Sequence, residues 1–223
     1  TIITLAERLY YEKDYELAIK TLKDQKYGRC KSLYLGCLLS LDKEKEFHQK
    51  VKKLSKEELC NAEIGGIIEH SNTIYKEQHK SLFCNKSMNY IFFDKINEKS
   101  FSDENMNQLI AYMNSGQQEI RSQSILKEGI QTSGDLFSLN YPFINSIRKV
   151  IEDKISIYKE KYRDSGQGFI KNWPEEYILR SWMISMKSGG FLKPHNHEYG
   201  WITGSFYLHV PSSKNINDGS IAF

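Results

Sequence analysis

The spacing of apolar residues changes along this chain from a helical period to a strand period, and that change constrains the fold most. In the first third, apolar residues recur at steps of three and four, which predicts two helices separated by a break at Lys13-Asp14. From Tyr177 onward apolar residues alternate with a period of two, which predicts strands over residues 177–186 and 201–210. We therefore expect an α+β protein with a helical part followed by a sheet-rich part.

The helical part carries small and large residues in the order of a helix-turn-helix repeat. The small positions are Ala6 and Ala18, and the large positions are Leu9 and Leu22. This pattern resembles a tetratricopeptide repeat, and a second unit begins at Leu35-Gly36 before the pattern is lost around residues 46–52. The expected role is a structural cap on the domain that follows. The alternative is a groove that binds a peptide or protein partner.

Composition changes after residue 82, so we expect a helical region at 1–82 and a second domain at 83–223. A strand is predicted for residues 88–93, where the sequence is apolar and aromatic. Ser102 is a good N-cap for a helix that ends near Asn114. Pro142 opens the clearest amphipathic helix, which extends to Tyr162.

A His-x-His pair stands between the two predicted strands, after a turn expected at residues 187–190. In an extended segment His195 and His197 point to the same side, because side chains alternate between the two faces. Two neutral imidazoles are good ligands for iron and other transition metals, but a third ligand is needed to hold the ion. The pattern therefore predicts part of a metal site.

The surrounding residues resemble the 2-oxoglutarate-Fe(II) oxygenase family, in its His-x-His variant of the double-stranded β-helix dioxygenases. The residues that carry the resemblance are Gly189-Gly190, Pro194, His195, His197, Trp201, Gly204, Tyr207 and the stretch from Asp218 to Phe223. It extends over roughly residues 85–223, and it implies a jelly-roll domain and a dioxygenase that uses Fe(II) and 2-oxoglutarate as cosubstrate. The substrate class, a protein side chain or a small metabolite, is left open.

By this resemblance His195 and His197 are the catalytic metal ligands. His197 occupies a position where related oxygenases usually carry an acidic residue, and Glu198 is a weaker candidate because its parity along the strand points it away. Tyr207 and Arg180 are the candidates for contacting 2-oxoglutarate. A later His ligand and an Arg for the distal carboxylate are also expected, and since Phe223 precedes both, we expect the chain to be truncated within the jelly roll.

Two alternatives remain open. In a cupin the same barrel would support metal-dependent dioxygenation or isomerisation without 2-oxoglutarate, although the Glu expected after the second His is replaced here by Trp201 or Ile202. In an interaction protein the helical repeats would carry the function and the oxygenase domain would be vestigial.

Charge and composition exclude several other classes. The formal net charge of +3 and the lack of a dense Lys/Arg run argue against a nucleic-acid or anionic-membrane partner. No apolar stretch is long enough to span a bilayer, and the start lacks the plan of a signal peptide. The four cysteines form no CxxC pair and are expected to be free thiols, so we expect a cytoplasmic protein.

Overall fold

A computed structural model describes residues 1–23, 25, 28–76, 79–97, 99–210, 212 and 218–222. The chain forms two compact units. The first unit comprises Thr1–Ile91, Arg163–Trp173 and His197–Thr203. The second unit comprises Phe92–Tyr162, Pro174–Asn196 and Gly204–Phe223. The segment that begins at His197 thus belongs to the first unit, although its neighbours in sequence belong to the second.

The first unit is mainly helical, and the second unit contains helices and strands. In chain order they are α1 Ile2–Tyr11, α2 Tyr15–Leu22, α3 Gly28–Ser40, α4 Glu44–Val51, α5 Lys56–Leu59, α6 Ala62–Tyr75, α7 Asp103–Asn114, α8 Pro142–Lys161 and α9 Gly168–Lys171. The strands are β1 Ile120–Arg121, β2 Leu126–Thr132 and β3 Ile184–Leu192. Helices α1–α6 and α9 lie in the first unit, and α7, α8 and the strands lie in the second.

The predicted break between α1 and α2 is confirmed. Lys13 adopts a left-handed φ of 65°, and the Asp14 side chain accepts a hydrogen bond from the Leu17 amide at 3.3 Å, which caps α2. The turn between α3 and α4 also contains a left-handed residue, Asp42 at φ 54°, whose amide donates to the Leu39 carbonyl. The N-cap residue of α4, Lys43, forms no side-chain hydrogen bond, so the two turns share the left-handed residue and not the cap.

Small residues lie where these helices approach each other. Ala6 and Ala18 are completely buried, and a Cβ added at Gly36 would come within 3.2 Å of the Tyr10 ring. The small positions therefore do lie at packed surfaces. The assignment to the tetratricopeptide family stays a prediction.

The second unit is built on α7 and α8, both predicted from local signals. The Ser102 side chain caps α7 by accepting from the Asn105 amide at 3.3 Å, and Pro142 lies in the first turn of α8. Their inner faces contribute to an apolar core that also includes residues outside the two helices. Its members are Phe101, Leu109, Met113, Leu136, Phe137, Phe143, Ile144, Ile147, Val150 and Met183.

An antiparallel sheet with the order β1-β2-β3 completes the second unit. Leu126 pairs with Leu192 and Gln131 with Ile184, and the register shifts between Lys127 and Gly129. The α+β class is confirmed by this combination of helices and sheet. The jelly roll stays a prediction, because the strands of the described residues are these three.

Several strand and helix predictions were wrong in extent. Residues 88–93 begin within a 3-10 helix, Ser87–Tyr90. The predicted strand at 201–210 belongs to no sheet, and the predicted strand at 177–186 is part of β3 only from Ile184 onward. Alternation specifies which side chains face a core, whereas a strand also needs a neighbouring backbone for its hydrogen bonds. Helices α5 and α6 are separate within the predicted helical region, because Asn61 caps α6, which ends at a left-handed Lys76. Residue 223, which belongs to the stretch that carries the family resemblance, lies outside the described residues.

Two further expectations can be compared directly with the structure. All four cysteines are free, with Cys30 and Cys37 buried, as predicted. No helix among the described residues is sufficiently long and apolar to cross a membrane.

We predict that α8 stabilises the second unit through its inner face only. Ile144→Ala should lower the free energy of unfolding by about 2–5 kcal/mol, because Ile144 is fully buried and its truncation leaves a cavity. Ile157→Ala on the same helix is the matched control and should change it by less than about 0.5 kcal/mol, since Ile157 is 47% exposed. Urea denaturation measures both, and equal losses would contradict this packing.

Candidate functional site

The segment that leads into β3 is held in the second unit by hydrogen bonds from and to its backbone. The Asp135 carboxylate accepts from the Ser181 amide at 2.9 Å and from the Phe137 amide at 3.1 Å. The Leu136 amide donates to the Ser181 carbonyl at 2.8 Å, and the Met183 amide donates to the Thr132 hydroxyl at 3.0 Å. Residues 181–183 are therefore fixed without being part of the strand.

These hydrogen bonds fix which side chains of residues 179–183 face the core. Met183 is buried in the core, and Leu179 packs against that core. Arg180 and Trp182 lie on the opposite, exposed side, as the period of two predicted. Among the described residues, no carboxylate forms an ion pair with Arg180.

The predicted turn at residues 187–190 is an irregularity inside β3. The pairs on either side are Lys127 with Phe191 and Gly129 with Met186, so four residues of β3 lie opposite Glu128 alone. Gly190 is needed here, because an added Cβ would come within 2.7 Å of the Glu128 carbonyl oxygen. The prediction of a turn was wrong because the strand pairing resumes beyond the glycines.

The His-x-His pair lies just beyond the end of β3. The Lys193 amide donates to the Ile125 carbonyl at 2.9 Å, which holds the chain to the sheet up to this residue. The Nδ1 atom of His195 lies 2.9 Å from the Lys193 carbonyl oxygen. A hydrogen bond from Nδ1 would leave Nε2 as the acceptor nitrogen of a neutral imidazole. His195 and His197 are both exposed.

In the first unit, the residues after His197 are bound by a guanidinium. Arg29, in the first turn of α3, donates from Nη2 to Glu198 and to the Tyr199 hydroxyl, each at 2.9 Å. It also donates from Nε to Glu7 at 3.0 Å and from Nη1 to Glu63 at 3.2 Å. Sequence reasoning missed Arg29, because nothing local marks it and 169 residues separate it from Glu198.

This cluster shifts the acidity of its members. The hydrogen bond from the Tyr199 hydroxyl and the contact with Arg29 hold the pKa of Glu7 below its usual value, although burial opposes them. Desolvation of the hydroxyl, together with its bond to Glu7, raises the pKa of Tyr199 to about 12. The carboxylate and the phenol therefore remain in their ordinary charge states at neutral pH.

Trp201 fixes the other end of the same segment within the first unit. Its indole Nε1 donates to the Phe169 carbonyl at 3.0 Å, and its ring packs edge-on against Phe83, with the centroids 5.0 Å apart. The Gly200 amide closes a turn onto the His197 carbonyl at 2.9 Å. Residues 197–201 are thus held by side chains on both sides of a tight turn.

Residues 206–209 keep the predicted alternation although they form no strand. Phe206 and Leu208 pack against the core of the second unit, and Tyr207 and His209 are exposed. The Tyr207 hydroxyl forms no hydrogen bond within the described part of the chain. It is therefore available to a ligand as either donor or acceptor.

No group of three or more His, Cys, Asp or Glu side chains is placed to hold a metal ion among the residues that the structure describes. The imidazoles of His195 and His197 fit the ligand chemistry of iron, but those residues supply no third protein ligand to join them.

Comparison with known proteins finds one family model that is similar to this segment. Residues 180–221 match the family model described as "Putative 2OG-Fe(II) oxygenase". This match confirms the family resemblance drawn from the sequence, and it includes Arg180, His195, His197 and Tyr207. Neither the curated proteins nor the solved structures gave a significant match.

We predict that Asp135 holds the outward-facing segment in place. Asp135→Ala should lower the free energy of unfolding by about 1–3 kcal/mol, because the Ser181 and Phe137 amides lose their acceptor. Asp135→Asn keeps an acceptor oxygen at the same position and should cost about 0.5–1 kcal/mol. Urea denaturation gives the free energies, and amide exchange at Ser181 tests the location. Unchanged exchange at Ser181 in Asp135→Ala would refute this role.

Proposed function

We propose that this protein is an Fe(II)- and 2-oxoglutarate-dependent dioxygenase of the hydroxylase type. The observation that carries the proposal is the family match over residues 180–221, which includes the His-x-His pair. The chemistry of the pair supports it, since imidazole nitrogen is a common ligand of iron.

In this proposal His195 and His197 are the metal ligands supplied by the described residues. The competing ligand was Glu198, and its carboxylate is bound by Arg29 at 2.9 Å. An acid engaged by a guanidinium would have to leave that partner before it could bind iron. The contact therefore supports His197 as the second ligand. A His at this position carries no negative charge, so the iron would keep more of its positive charge than with a carboxylate.

Tyr207 and Arg180 are proposed to contact the cosubstrate. A tyrosine hydroxyl can donate a hydrogen bond to a carboxylate, and a guanidinium can bind one through two parallel hydrogen bonds. Both side chains are exposed and have no ion pair or hydrogen bond within the described residues. Neither would need to break an existing contact in order to bind 2-oxoglutarate.

Bound iron and 2-oxoglutarate would supply the oxidative chemistry, in which decarboxylation of the cosubstrate is coupled to hydroxylation of a C–H bond. The chain's own contribution is to bind and orient. His195 and His197 would hold the ion, and Tyr207 and Arg180 would orient the carboxylates. The substrate is proposed to be a protein side chain or a small metabolite.

We predict that His195→Ala and His197→Ala each weaken Fe(II) binding by more than about 100-fold. Mutation of a residue that hydrogen-bonds to a metal ligand weakens metal binding by about 10–100-fold, so loss of the ligand itself should weaken it more. His209→Ala is the matched control, because His209 is also exposed and lies within the matched segment. Titration with Fe(II) under anaerobic conditions measures the affinity, and formation of succinate from 2-oxoglutarate in air measures the activity.

The proposal predicts succinate formation that needs both Fe(II) and O2 and is lost in His195→Ala. Metal-dependent oxidation without consumption of 2-oxoglutarate would point to the cupin-type chemistry instead. Equal Fe(II) affinity in the wild type and in His195→Ala would overturn the assignment of the ligands.

A further inference from the structure

One side chain of the helical unit binds the residues directly after His197. Arg29 has an exposed side-chain fraction of only 15%, and all three of its guanidinium nitrogens donate hydrogen bonds. Its carboxylate partners are Glu7 on α1, Glu63 on α6 and Glu198. The guanidinium also lies over the Tyr199 ring, 4.6 Å from its centroid.

The arrangement depends on this one guanidinium. Three carboxylates contact a single positive charge, so without Arg29 they would face one another as like charges at short range. The Tyr199 hydroxyl cross-links the cluster, since it accepts from Arg29 and donates to Glu7 at 2.8 Å. The Ser32 hydroxyl donates to Glu63. Each polar group of the cluster is therefore oriented by at least one other.

The cluster holds the segment His197–Thr203 to the first unit from one side. Glu198 and Tyr199 are both attached to Arg29, and Trp201 is attached separately through Phe169. His197 is covalently next to Glu198, so the position of its backbone follows from these contacts. A lysine would not reproduce this arrangement, because its three donors share a single nitrogen, whereas the guanidinium spreads five donors over a planar fork.

We propose that Arg29 is a positioning residue for the iron site. By binding Glu198 and Tyr199 it fixes the backbone from which His197 reaches the metal, and it keeps the Glu198 carboxylate away from the ion. This inference rests on the proposed function for its metal ligand. It adds a residue of α3 to those that position His197, within the first unit.

The test compares Arg29→Gln with Arg29→Lys and with the control Arg8→Gln. Arg8 lies on the exposed side of α1, and its ion-pair partner among the described residues is Glu12, four residues on, so its loss leaves the cluster intact. Two quantities are measured on the intact protein: amide hydrogen exchange over residues 197–203 without metal, and binding of Co(II) in place of iron. The visible absorption of bound Co(II) reports the geometry of its ligands.

We expect the amides of residues 197–203 to exchange faster in Arg29→Gln than in the wild type. The variant should also bind Co(II) about 10-fold more weakly, which is the usual loss when a contact that orients a metal ligand is removed. The absorption spectrum of the bound Co(II) should shift. Arg29→Lys should recover less than half of the loss in affinity, because it restores the charge without the fork. Arg8→Gln should match the wild type in all measurements.

Two milder variants keep the test decisive if Arg29→Gln does not fold. Glu198→Gln removes the charge of one carboxylate partner, and Tyr199→Phe removes the hydroxyl that accepts from Arg29 and donates to Glu7. Both variants leave Arg29 bound to Glu7 and Glu63. Each should accelerate exchange over residues 197–203 and shift the Co(II) spectrum. Complete loss of Co(II) binding in Glu198→Gln, with full binding in His197→Ala, would instead make Glu198 the ligand and overturn the inference.

The remaining outcomes separate this inference from the proposed function. If the wild type binds Co(II) and loses it in His195→Ala, but Arg29→Gln has unchanged exchange, affinity and spectrum, the positioning role is wrong and the oxygenase proposal stands. If exchange changes while the Co(II) affinity and spectrum do not, Arg29 is a structural residue only, and the inference is overturned. If the wild type binds no Co(II), the proposed function fails and the inference fails with it.

Discussion

The ion cluster around Arg29 determines where the residues after His197 lie in the first unit. It joins α1, α3 and α6 to a segment far along the chain, through a guanidinium that is largely removed from water. Such a cluster has little advantage over apolar packing in stability, because the charges lose hydration when they are buried. Its advantage is directional, since three nitrogens in a fixed plane admit few arrangements of their acceptors.

In the second unit, pairing between backbones holds the segment that contains the candidate residues. Strands β2 and β3 pair in antiparallel fashion, and Asp135 extends their attachment to residue 181. Apolar side chains such as Met183 and Leu208 then turn inward, which leaves Arg180 and Tyr207 exposed on the alternate positions. The candidate cosubstrate residues are thus oriented by the burial of their neighbours.

The accuracy of the sequence predictions follows the range of the interactions involved. Helices α7 and α8 were predicted almost to the residue, because the Ser102 cap and the Pro142 start act within one turn. The strand at 201–210 was predicted from a real alternation, and Phe206 does face the core. It is not a strand, because pairing depends on a partner backbone that no local pattern specifies.

The sequence by itself determined helices α7 and α8, the α+β class and the His195-x-His197 motif, which lies within the segment that matches the oxygenase family model. These features depend on residue type and on spacings of a few residues. Only the tertiary structure decided that Glu198 is bound by Arg29, 169 residues away, and that the glycines at 189–190 lie inside a paired strand. The physical reason is that contacts between distant residues depend on how elements pack, and their partners leave no periodic trace in the chain.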